Sequence, residues 1–61
     1  MDDHATKKHR LLLDLMALEA EFSRVMKLNS EPPFIPENEL VAQELTTAHN
    51  RVKGLIAKLQ E

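Results

Sequence analysis

Two apolar repeats with heptad spacing, separated by a stretch that holds all three prolines, constrain this chain most. The first repeat is Leu11, Leu15, Leu18, Phe22 and Val25, in steps of 4, 3, 4 and 3. The second is Val41, Leu45, Ala48, Val52, Leu55 and Leu59, in steps of 4, 3, 4, 3 and 4. Each sets an apolar stripe along a helix, the spacing of a coiled-coil seam. The prolines at 32, 33 and 36 interrupt any continuous helix between them. The two stripes therefore meet only if the chain folds back on itself. The expected fold is all-α, an antiparallel two-helix hairpin with coiled-coil-like packing.

One register serves every seam residue of the first helix. It pairs Val25 with Leu45, Phe22 with Ala48, Leu18 with Val52, Leu15 with Leu55, and Leu11 with Leu59. Each pair is equidistant along the chain from Ile35, which lies inside the proline stretch. The largest seam residue, Phe22, then faces the smallest, Ala48, as close packing requires. With Leu15 and Phe22 at heptad position a, the g flanks pair Asp14 with Lys58 and Glu21 with Arg51, opposite charges in both cases. The e flanks pair Leu12 with Ile56, Glu19 with His49, and Met26 with Ala42. Exposed ion pairs contribute only about 0.2–1 kcal/mol each, so they select orientation more than they stabilise.

The expected boundaries follow from the terminators. The chain reads as one helical hairpin spanning 1–61, with helix 1 over about residues 5–28, a proline-rich turn over 29–35, and helix 2 over about 36–60. Asp2 or Asp3 suits the first helix as a cap, and Lys27 suits its negative end. Pro36 fits the first position of helix 2, where its missing N–H costs nothing. Gly54 is the weakest point of that helix, by about 1 kcal/mol relative to alanine.

A hairpin of this size has a shortage of core. Chains below roughly 70–80 residues seldom draw more than about 3–5 kcal/mol from a single core. Without cysteine, no disulfide or thiolate metal site can make up the difference. Association is the remaining remedy, and the apolar inventory supports it. Leu12, Leu13, Met16, Met26 and Ile56 fall outside the a/d seam, mostly on the e/b side, and predict a second contact surface. Phe34 and Ile35, framed by prolines, either fold back to close the hairpin's end or form an apolar tip for a partner pocket. These seven residues are the expected partner interface. The face is expected to be covered by self-association into a four-helix bundle, a homodimer, or by packing on a helix of another protein.

Catalytic and cofactor chemistry has no foothold in the sequence. His4, His9 and His49 lack metal-ligand spacing, no carboxylate pair stands out as acid and base, and one glycine cannot build a phosphate loop. No enzyme activity, metal or cofactor is expected. A net charge of −2, two Phe and no Tyr or Trp argue against a broad nucleic-acid surface. Lys7, Lys8, His9 and Arg10 form the one basic run, the basis of an alternative reading as a dimeric nucleic-acid-binding regulator. Nothing reads as a signal peptide or membrane span, since the longest apolar run is Leu11-Leu12-Leu13, and a cytoplasmic location is expected. In shape alone the architecture resembles small dimeric hairpin bundles that bind RNA and short helical-hairpin co-chaperones of bacterial secretion systems. The leading expectation is a non-enzymatic interaction module, whether adaptor, co-chaperone or small assembly subunit.

Overall fold

A computed structural model describes residues 3–61. Two helices, α1 (Asp3–Asn29) and α2 (Asn38–Leu59), pack against each other along a rod 52 Å long and about 15 Å wide. Good helix formers dominate both segments. Asp3 opens α1 and Glu39 lies in the first turn of α2, while Lys27 and Lys58 lie in the last turns, so each dipole meets a compensating charge. Asp2, the other expected cap, lies outside the described residues. The chain directions oppose: Asn29 bonds Asn38 at one end, Glu19 approaches His49 midway, and Lys8 Nζ donates to the Glu61 carbonyl at the other. Each of these pairs straddles the chain near Ile35, the centre that the heptads imply.

The turn is built from polar groups. At the end of α1, the Ser30 N–H shares the Met26 and Lys27 carbonyls, and its hydroxyl donates to Met26 at 2.9 Å. The last turn thereby tightens and satisfies carbonyls that would otherwise be orphaned. Residues 30–35 then pass through a cis Pro32–Pro33 bond. Pro36 and Glu37 form a tight turn, closed by the Asn38 N–H donating to the Ile35 carbonyl. The α2 assignment starts two residues after Pro36 for this reason: the proline turn feeds the helix without yet carrying its regular ladder.

The seam is rolled relative to the a/d stripes. Ile56 is the one buried apolar residue among those described, at 7% exposure. Leu12, Leu15, Phe22, Val25 and Met26 on α1 are half-buried, as are Val41, Ala42, Leu45, Ala48, Val52 and Leu59 on α2. Leu11, Leu18 and Leu55, which the heptad reading puts in the seam, are exposed at 46%, 44% and 51%. In the terminal half the contact is thus centred on columns a and e, while nearer the turn Val25, Val41 and Ala48 of column d share it. The physical reason is an oversupply of apolar columns. Each helix offers d, a and e, and a two-helix contact covers about two of them. Choosing e encloses Ile56, Leu12 and Met26 and leaves the d leucines bare.

Candidate partner-docking face

The roll moves the uncovered surface to the other side of the hairpin. Columns d and g of both helices share one flank, because in an antiparallel pair g faces g and e faces e. Leu11 and Leu18 come from α1, and Leu55 comes from α2 at the height of Leu15. Together they make a leucine cluster on the terminal half of the rod. Leu28, at position g and exposed, carries the same flank towards the turn. There Val25, Leu28, Ile35 and Val41 border a shallow apolar cleft of about 270 Å³.

The seven expected interface residues divide accordingly. Ile56 is buried in the hairpin's own seam rather than on an off-seam face, and Leu12 and Met26 lie half-buried beside that seam. Leu13 and Met16 are exposed, but they lie at positions f and b, on the outer side of α1 away from the leucine cluster. Phe34 and Ile35 are both exposed at the tip, and Ile35 borders the turn cleft. The heptad reading missed Leu11, Leu18 and Leu55 as surface residues, since their spacing is that of a seam.

Total exposure gives the scale of the surplus. A compact folded chain of 7.0 kDa exposes about 4,000 Å² by the usual size scaling. This hairpin exposes 5133 Å², roughly 1,100 Å² more than that scaling. The excess follows from two helices having only each other to pack against.

Charges on the d/g flank are left without cross-helix partners. Among the described residues, neither Asp14–Lys58 nor Glu21–Arg51 forms an ion pair. Glu21 turns instead to Arg24 on its own helix, at 2.7 Å, and that guanidinium holds the Glu21 carboxyl below its ordinary range. The expected e pair is in place: His49 Nε2 lies 3.6 Å from Glu19 Oε1. The imidazole stacks on Phe22, with ring centroids 5.4 Å apart and 17° between the planes. Its Nε2 is withdrawn from solvent and has no hydrogen-bond partner among the described residues.

The basic run lies on exposed turns of α1. Lys7 and Arg10 share an open groove with Asp3 and Asp14, and Lys8 reaches the Glu61 carbonyl. No three His, Asp or Glu side chains among the described residues gather as a metal would require. No helix among them is long and apolar enough to cross a membrane. No protein-family model matches the sequence, and no curated protein or solved structure matches it either.

Proposed function

We propose that this chain is a non-enzymatic protein–protein interaction module: a rigid helical hairpin that presents the Leu11–Leu18–Leu55 face to helices of a partner. The observation that carries this reading is the contrast between one buried apolar residue and a contiguous cluster of exposed leucines on the same rod. Monomeric proteins seldom leave such a cluster open, and apolar patches rimmed by charge are common at association sites. Two further helices over this face complete a four-helix bundle, the arrangement that resolves a surplus apolar column. A role as adaptor, co-chaperone or assembly subunit is compatible with that surface, and the fold by itself does not choose among them. The nucleic-acid alternative has less behind it, because Asp3 and Asp14 sit in the groove beside Lys7 and Arg10.

The test compares capture of binding proteins from the native cell by the unaltered chain and by Leu18→Glu with Leu55→Glu, identified by mass spectrometry. Association that vanishes in the double variant, while its far-UV circular dichroism stays helical, supports the reading. Unchanged association of both kinds, with self and with other proteins, refutes it.

A further inference from the structure

We propose that the occupant of the leucine face is a second copy of this chain, with both proline turns at the same end and α1 of each copy lying on α2 of the other. The inference rests on the docking reading above and supplies its partner. Area is the first argument. Spread over the whole rod, the excess of roughly 1,100 Å² over a compact chain is of the same order as the about 800 Å² that each partner gives to a standard stable interface. A second hairpin of the same length can cover such an area.

Charge is the second argument, and it selects the orientation. On this flank α1 carries Asp14 and Glu21, and α2 carries Arg51 and Lys58 in its terminal half and Glu44 nearer the turn, opposite the uncharged Leu28. None of these forms a cross-helix pair within the hairpin. A two-fold axis parallel to the rod sets α1 of one copy beside α2 of the other at equal height. Asp14 then meets Lys58 and Glu21 meets Arg51 across the interface, and the symmetry makes each pair twice. Leu55 falls between Leu11 and Leu18 of the other copy, so six leucines close one layer of core.

The opposed arrangement, turn beside termini, stacks α1 on α1 and crowds Asp14 and Glu21 of the two copies. It has one attraction, because the rod is polarised. Residues 3–17 and 51–61 carry six Lys or Arg against three acids, while residues 18–50 carry two against six. Those charges are spread over the outer surface of a rod about 15 Å wide, and screening fades them within about 8 Å at physiological salt. Charges in contact at the interface outweigh charges at that range.

The experiment uses the intact chain. Sedimentation equilibrium at about 100 µM should give twice the 7.0 kDa chain mass. Asp14→Lys should weaken the dimer by about tenfold at low salt, and adding Lys58→Asp should restore it. Because the chain has no cysteine, Glu31→Cys places a single pyrene label at the exposed turn. Excimer emission is expected, since the labels lie side by side only if the turns do. Three results overturn the proposal: a single-chain mass, a dimer without excimer emission, or a charge swap that fails to restore association. A single-chain mass together with Leu18-dependent binding to another protein removes the second copy but keeps the docking face. Loss of both removes the face.

Discussion

Leu55 and Ile56 are adjacent, alike in size and carried on the same helix, yet Leu55 is half open to solvent and Ile56 is the most enclosed apolar residue described. The same division runs along α1, where Leu12 is half-buried and its neighbour Leu11 is exposed. The e residues Leu12 and Ile56 are the more covered and the three d leucines are exposed, although Val25, Val41 and Ala48 of column d are half-buried nearer the turn. A roll of roughly 50° about the helix axes separates the two alternatives. In a hairpin with three apolar columns, composition ensures that something is left over, and the roll decides which side it occupies.

The largest effect that can break this comparison is a pair of truncations. Ile56→Ala should cost about 2–4 kcal/mol, the range for emptying a buried aliphatic site. Leu55→Ala should cost under about 0.5 kcal/mol in the dissociated chain, as an exposed site does. Urea titrations at low protein concentration read both, and a reversed order would place the seam back on column d. If a second copy covers the flank, the Leu55→Ala cost should grow with protein concentration while the Ile56→Ala cost changes little.

Asn38→Ala comes next. Its side chain accepts the Ile35 N–H and donates to the Asn29 carbonyl and amide oxygen, the last at 2.6 Å. Net hydrogen-bond contributions near 1 kcal/mol each, shared within one cluster, predict a loss of about 1–2 kcal/mol. Thermal melts measure it, and a neutral result would leave apolar contact alone to fix the roll. Smaller still, and of opposite sign, Gly54→Ala should stabilise by about 0.5–1 kcal/mol. A methyl built there meets open space. A weaker dimer in that variant would show that column c is also approached by a neighbour.

The smallest effect concerns Glu21. Arg24 lowers its pKa by hydrogen bonding first and charge second. A depressed carboxyl adds stability above its ordinary pKa, and that increment is lost as pH falls through the folded value. Carboxyl titration by NMR should find Glu21 ionising at lower pH than in the Arg24→Ala variant. An equal midpoint in both chains would mean that Arg24 does not hold the Glu21 carboxyl.

Fold class and register were legible because they depend on period and on loop position. The heptad pairs centre on Ile35 and the Glu19–His49 pair on Phe34, both inside the stretch that the prolines bound. The roll was not legible. Leu11, Leu18 and Leu55 satisfy the a/d spacing as well as any seam residue, and Leu12, Met26 and Ile56 satisfy a/e spacing with one polar pair in the column. Sequence period cannot rank two overlapping stripes that share column a; the side-chain volumes of both helices decide together. The exposed apolar residues therefore include Leu11, Leu18 and Leu55, which the heptads place in the seam, as well as Leu13, Met16, Phe34 and Ile35. Asn38 was missed as well. Its signal was an asparagine at each edge of the proline stretch, Asn29 and Asn38, where side-chain amides compete well for backbone groups.

The reciprocal bonds between Asn29 and Asn38 carry a consequence for how this chain can vary. Asn29 donates to the Asn38 carbonyl at 3.0 Å, and Asn38 donates back to the Asn29 carbonyl at 3.1 Å. The two rods are thus riveted together below the bend, and the arc of residues between the rivets hangs outside the joint. That arc is free to be rewritten, lengthened or grafted with foreign sequence while the shaft keeps its alignment, because the cost of a longer closed loop grows only slowly with its length.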